Sequence, residues 1–214
     1  MDVIFLQSKE LNWQENYNQV SEVIGNRAPI FLIDGSNATC IKNAYEIMIS
    51  QIDSEYFMMI EADNFINENI LKYLNDERSL KFWTINKYGI SYEHGSIKIM
   101  NKQLVIKQLI NNVFIHPNFE VSANLYLTTV PEILSEHRFD WSPRSEWITI
   151  AKEIVKLYYW SHEHNFRQWM AHEKPRKIFN QLEPILETVS FTDLFGKVLP
   201  SLGKLYDERF SKEF

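Results

Sequence analysis

Five apolar residues, Tyr56-Phe57-Met58-Met59-Ile60, run without a break into Glu61-Ala62-Asp63-Asn64, and this junction constrains the fold more than any other stretch of the chain. An uninterrupted apolar run of strand length belongs inside a sheet covered on both faces, the environment of parallel strands joined by helices. Ligands of such sheets collect beyond the carboxyl ends of the strands, so the two carboxylates stand where a ligand is expected. Alternate side chains of an extended segment share a side. Glu61 and Asp63 are therefore expected to converge on one hard cation, Mg²⁺ or Mn²⁺, whose open positions phosphate oxygens fill. The same residues also read as an acidic strand end, with Asn64 completing a turn.

The segments around the junction repeat a strand–helix alternation. Asp2 to Gln7 reads as a strand, and Trp13 to Ile24 as a helix with Trp13, Tyr17, Val20 and Ile24 on one face. Pro29 to Ile33 is the next strand, ending in the turn formers Asp34-Gly35-Ser36-Asn37. A helix carrying Ile41, Ala44, Ile47 and Met48 then leads to the acidic strand. Strands separated by helical crossovers predict a mostly parallel, Rossmann-like α/β sheet flanked by helices, which Leu80 to Ile85 and Ile90 to Met100 extend. The loop Gln7-Ser8-Lys9-Glu10 and Asp34 lie at predicted carboxyl ends, where the base and ribose of a nucleotide would lodge; Asp34-Gly35 is equally a tight-turn signal. No G-x-G-x-x-G or P-loop pattern occurs, which disfavours a dinucleotide site and a glycine phosphate cradle.

The second half changes character. A helix is expected from Pro143 to Ala171, with Ser142 as its N-cap, Pro143 at its first position, and an apolar stripe of Trp147, Ile150, Ala151, Ile154, Val155 and Tyr158. Pro175 opens another helix, and Pro184 and Pro200 bound the tail. No linker separates independent domains. Residues 1–142 form the α/β part and residues 143–214 a helical part packed on the same single domain. From Arg167 to Lys177 the chain places cations beside Trp169, with Arg176 and Lys177 at the end of the cluster. That composition suits phosphate contact and stacking on an extruded base, or simply a solvated helix end.

A single cysteine, Cys40, excludes an internal disulfide framework and a cysteine-rich zinc site. The formal net charge of −6 opposes attraction to nucleic acid through the whole surface but leaves room for a local basic groove. Apolar runs are short and no leader is apparent, so a soluble, cytoplasmic protein without a membrane partner is expected.

Several segments together resemble one family. These are "DVIFLQSKELNWQENYNQV", "RAPIFLIDGSNATCIKNAYEIMISQIDSEYFMMIEADNFI", "YEHGSIKIM" and "WITIAKEIVKL", in order across residues 2–157. They look like the phage and kinetoplastid glycosyltransferases associated with modified-base oxygenases, the group of the base J glucosyltransferase and the phage DNA arabinosyltransferases. The resemblance implies a glycosyltransferase-A-like fold, a nucleotide-sugar donor, most simply a uridine-diphosphate sugar, and a hydroxymethylated pyrimidine in DNA as acceptor, in the cytoplasm of a phage-infected host. It places the metal on Asp63 and Glu61, the glycine–lysine segment on His94, Gly95 and Lys98, and the aromatic-to-lysine helix on Trp147, Glu153 and Lys156. Ser96 stands where many members carry a second glycine, and Ala151-Lys152 replace a Phe-Arg pair. In this picture Asp34, Glu61, Lys98 and Lys156 hold the donor. Glu153 or else His94 takes the acceptor proton, as a carboxylate or imidazole on the face opposite the leaving group can; Glu153 also reads as an ion-pair partner of Lys156 at i,i+3. Trp169, Arg176 and Lys177 meet the DNA. Transfer to a small molecule or protein, nucleotidyl transfer and a non-catalytic module of the same fold remain open, as do the sugar, the anomeric outcome and the oligomeric state.

Overall fold

The computed structural model describes residues 1–7, 12–35, 38, 41–92, 96–110, 127–138, 142–159, 163–190 and 193–212. They fall into two compact units, Met1–Phe139 and Asp140–Phe214. The first contains one sheet of eight strands: β1 (Asp2–Gln7), β2 (Ile30–Asp34), β3 (Tyr56–Glu61), β4 (Asn64–Ile66), β5 (Leu80–Ile85), β6 (Ser91–Tyr92), β7 (Ile97–Asn101) and β8 (Thr128–His137). Their spatial order is β2-β1-β3-β7-β5-β8-β4, with β6 paired to β5. Helices α1 (Trp13–Ile24), α2 (Ile41–Gln51) and α3 (Lys102–Ile110) complete the unit.

β1, β2 and β3 are parallel, with Gln7 opposite Asp34 and Leu6 opposite Glu61, because α1 and α2 are the crossovers between them. Past β3 the sheet becomes mixed: β7 is antiparallel to both β3 and β5, while β8 is parallel to β5. The chain between β5 and β7 forms a tight turn at Asn86–Ile90, with Gly89 at φ 71°, and returns through β6. A turn of that kind reverses direction, whereas a parallel return needs a crossover of a dozen or more residues. The α/β class is therefore the one the molecule has, with parallel pairing among β1, β2 and β3 and again between β5 and β8.

Both faces of β3 are covered, which explains its unbroken apolar run. Met58 and Ile60 join Val3, Phe5, Val20, Ile24, Phe82 and Leu134 in one cluster. Phe57 and Met59 join Ile4, Ile33, Tyr45, Met48 and Met100 in another.

β8 carries Pro131, which lacks the N–H a ladder needs. The register accordingly jumps from Phe82↔Val130 to Trp83↔Ile133, so that Pro131 and Glu132 bulge out of the pairing. At the edge next to β8, the Gln19 side chain on α1 donates to the Ile66 carbonyl at 2.6 Å and accepts from the Ile66 N–H at 3.0 Å, pairing with β4 as a neighbouring strand would.

The second unit is helical. It comprises α4 (Pro143–Tyr159), α5 (Glu163–Met170), α6 (Glu173–Leu186) and a last segment, Leu199–Leu205, flanked by π-type turns over Leu194–Val198 and Tyr206–Phe210. Ser142 Oγ accepts from the Ser145 N–H at 3.3 Å, so α4 starts where its cap predicts. The single helix expected over residues 143–171 is two helices, with residues 160–162 outside the described residues. Pro184 lies inside α6, in its last turn, where the N–H it lacks forfeits only one bond of a helix that ends two residues later. Trp147 is buried against Phe210, with ring centroids 5.1 Å apart, and Tyr206.

Two predictions follow from these contacts. A Cβ at Gly35 would sit 2.7 Å from the Gln7 carbonyl oxygen and 3.0 Å from Leu6 Cδ1. Gly35→Ala is thus expected to push β2 off β1 and destabilise the protein by about 1–3 kcal/mol, seen as a lower urea midpoint at unchanged m-value; an unmoved midpoint contradicts the close approach. At the bulge, Glu132 accepts from Tyr73 Oη and Lys72 Nζ, both at 2.6 Å. Its hydrogen bond pushes the Tyr73 phenol up to about 12. Because that value is raised in the folded state, the associated stability is present below the ordinary phenol range and is lost as pH rises through about 12. Alkaline absorbance titration should show one late phenol that disappears in Tyr73→Phe.

Candidate functional site

The carboxyl ends of β1, β2 and β3 bring Gln7, Asp34 and Glu61 to one end of the sheet. β3 stops at Glu61, Ala62 and Asp63 form a turn, and Asn64 opens β4 opposite His137 of β8. The alternation expected to align Glu61 with Asp63 therefore ends before Asp63, and each carboxylate acquires its own neighbour.

Asp63 is held on all sides. Its Oδ2 lies 2.7 Å from His137 Nε2 and its Oδ1 accepts from Asn64 Nδ2 at 2.7 Å. Its carbonyl accepts from the Arg138 N–H at 2.5 Å. Asn16, buried on α1, donates to the Ala62 carbonyl at 2.6 Å and to the Arg138 carbonyl at 3.1 Å, and Asn12 donates to the same Arg138 carbonyl at 2.9 Å. The acidic turn and the end of β8 are thus sewn to one helix. About a fifth of the Asp63 side-chain surface, 21%, stays accessible.

Glu61 rests on a buried cation. Lys98 Nζ lies 3.8 Å from Glu61 Oε1 and donates to the Tyr45 hydroxyl at 3.3 Å, and the Lys98 side chain is 2% exposed. Lys98 was expected to hold the donor; enclosed between β3 and β5, it lies beneath the carboxylate and not at the surface. At this separation two unit charges attract by about 4 kcal/mol in a medium of dielectric constant about 20. Removing an ammonium from water costs several kcal/mol. The two terms roughly offset, so the pair adds little net stability and its consequence is to fix where the Glu61 carboxylate points.

The other expected residues are distributed as follows. Asp34 is exposed at the end of β2. His94, Gly95, Cys40 and the loop residues Ser8, Lys9 and Glu10 lie outside the described residues. Glu153 and Lys156 belong to the second unit, where Lys156 Nζ donates to Glu153 Oε1 at 2.8 Å, the i,i+3 pair foreseen as the alternative to catalysis. Trp169 is 3% exposed, so its ring offers no open face on which a base could stack, which corrects its expected role. Arg176 and Lys177 are exposed on α6, whereas Lys174 pairs with buried Glu146.

Sequence reasoning missed Asn12, Asn16, Tyr45, His137 and Arg138. Asn16 gave a signal: it falls in phase with Trp13 and Val20 on the apolar face of α1, where a polar side chain must find partners. His137 gave little, since Pro131 disguises the strand that carries it.

A divalent ion fits this donor set in a limited sense. Among the described residues no group of three or more His, Cys, Asp or Glu side chains assembles that could hold a metal ion by itself. The accessible part of the Asp63 carboxylate instead suits Mg²⁺ or Mn²⁺, which are commonly held by one or two carboxylates and completed by substrate phosphates and water.

No protein-family model matches the chain, and no curated protein does. Among solved structures it is similar to a glycosyltransferase involved in the glycosylation of the major capsid of PBCV-1, at 11% identity over 68% of this chain and 95% of that one, with a TM-score of 0.44. It is also similar to the mannosyltransferase PcManGT from Pyrobaculum calidifontis in complex with GDP-Man and Mn²⁺, at 10% identity over 99% and 81% of the two chains, with a TM-score of 0.46. A third is 4-diphosphocytidyl-2C-methyl-D-erythritol synthase from Anaerococcus prevotii, at 9% identity over 65% and 89%, with a TM-score of 0.38. Among the described residues no helix is long and apolar enough to cross a membrane.

The Asn16 clamp generates a prediction. Asn16→Ala removes the donor to two carbonyls at the buried corner, and its expected cost is about 1–3 kcal/mol. Asn16→Asp, which sets an acceptor against those acceptors, should cost more. Equal urea midpoints for the parent and both variants would remove the clamp from the account.

Proposed function

We propose that this chain is a metal-dependent glycosyltransferase that moves a sugar from a uridine-diphosphate donor to the hydroxyl of a 5-hydroxymethylpyrimidine in DNA. The observation that carries the proposal is the rigid placement of Asp63 at the closed corner, beside Glu61 and at the sheet end that Asp34 also reaches. The family resemblance of the surrounding sequence supports it. Asp63, with Glu61 and His137 beside it, would hold the Mn²⁺ or Mg²⁺, which when bound neutralises the charge of the leaving diphosphate. Asp34 accepts hydrogen bonds from the nucleoside. Glu153 takes the proton of the acceptor hydroxyl, with His94 as the alternative base, and Lys156 orients Glu153 through their ion pair. Arg176 and Lys177 contact DNA phosphates.

Transfer to an acceptor other than DNA is the second reading. It is favoured by the burial of Trp169, by the capture of Lys174 by Glu146, and by the net charge of −6.

One experiment separates the readings. The protein is incubated with a panel of nucleotide sugars, Mn²⁺ and hydroxymethylcytosine DNA, and the DNA is digested to nucleosides for mass spectrometry. The expected product is a hydroxymethylated base heavier by one glycosyl residue. Asp63→Asn should lower its yield by roughly two orders of magnitude without unfolding the protein. Glu153→Gln should abolish transfer yet retain the thermal shift that uridine diphosphate gives with Mn²⁺ and not without it. Donor hydrolysis with no change in the DNA supports the second reading. No donor turnover and no nucleotide-induced shift refutes both.

A further inference from the structure

We infer that Lys98 and Tyr45 are positioning residues of the donor site, acting on the donor through Glu61 and not by contact. The inference rests on the donor site proposed above and assigns the machinery beneath it.

Lys98 sits on β7, the strand between β3 and β5, with Met59 opposite it on one side and Lys81 on the other. Its chain neighbours Ile97, Ile99 and Met100 are buried with it, and Tyr45, which receives its hydrogen bond, lies in the cluster of Ile4, Met48, Phe57 and Met59. An ammonium in such surroundings is tolerated only when it is paired. Here it has the Tyr45 hydroxyl at 3.3 Å and the Glu61 carboxylate at 3.8 Å.

The arrangement is directional. Tyr45 is 2% exposed and fixed on α2, Lys98 is fixed in the middle of the sheet, and Glu61 alone of the three reaches the surface, with 29% of its side chain accessible. The buried pair therefore anchors the accessible carboxylate from below. Outer-layer partners of this kind orient the groups that touch a ligand, and their loss typically weakens binding tenfold to a hundredfold. A neutral side chain at position 98 removes the cation beneath Glu61 and with it the attraction that directs its carboxylate.

The test is a double-substitution cycle read by isothermal titration calorimetry with uridine diphosphate in Mn²⁺, and by urea unfolding. Lys98→Met keeps most of the apolar stem and removes the charge; Glu61→Gln keeps the shape of the carboxylate. Each is expected to weaken nucleotide binding by roughly tenfold or more. The double variant should bind no more weakly than Glu61→Gln alone, since Lys98 has nothing left to orient. Tyr45→Phe, which removes one hydroxyl from a side chain that otherwise keeps its packing, is expected to weaken binding severalfold with an intact fold, and it decides the matter should Lys98→Met not fold. Parent-like binding by Lys98→Met or Tyr45→Phe, or losses from Lys98→Met and Glu61→Gln that multiply in the double variant, would overturn the inference while leaving the donor site standing. A parent protein that binds no nucleotide overturns the donor site itself. In that case the unfolding cycle still reports whether Lys98 and Glu61 are coupled in the fold.

Discussion

The first unit depends on a connection too short for a flat sheet. β3 and β4 are four places apart along the path β3-β7-β5-β8-β4, which at about 4.8 Å per step would separate them by roughly 19 Å if the strands lay side by side in a plane. Only Ala62 and Asp63 join the end of β3 to the start of β4, and three Cα–Cα steps reach about 11 Å at most. The sheet must therefore curl until β8 and β4 approach the end of β3. The hydrogen bonds record that closure: the Glu61 N–H donates to the Ser96 carbonyl ahead of β7, and two residues later the Asp63 carbonyl receives the Arg138 N–H at the end of β8. Asp63 in that turn is held through its carbonyl and both carboxylate oxygens, a preorganised placement of the kind that charge stabilisation draws on.

Much of this was legible in the chain. The strands at Asp2–Gln7 and Leu80–Ile85 and the helix at Trp13–Ile24 have the bounds read from the chain, the last two because each is a regular element with one buried face and the first because it is an apolar run covered on both. The acidic strand was legible for the stronger reason that a run buried on both faces has no polar residue to blur it. Where the sequence was silent, particular residues explain the silence. β8 could not be recognised because Pro131 argues against a strand until the bulge accommodates it. The reversal from β5 into β6 and β7 was hidden because apolar content records burial and carries no strand direction. The curl was hidden as well, since it follows from which strands pair, and only long-range register supplies that.

The site was half legible for a related reason. Type and spacing placed Glu61, Asp63 and Asp34 at the ends of strands, where they are. The resemblance put Lys98 among the donor's contacts, and an aromatic among cations put Trp169 in reach of a base. Residue type reveals exposure only on average, and both side chains depart from it, Lys98 at 2% and Trp169 at 3% exposed.

Among the side chains that depart from that average are buried polar ones set against partners of opposite character. In the first unit Asn16 serves two backbone carbonyls, His137 meets Asp63, and Lys98 lies under Glu61. In the second, Glu146 meets Lys174 and Glu153 meets Lys156. Replacing such pairs with apolar residues of equal volume is often neutral or stabilising, so stability alone does not account for them. What a buried pair fixes is the direction of a charge. In the first unit these three contacts all bear on the turn and the carboxylates of a single corner. The pairs on α4 fix Glu146 and Glu153 in the same way, and seven residues, close to two turns of one helix, separate them. They therefore lie on a common face, each neutralised by its own lysine, so that the helix carries two oriented ion pairs along one side.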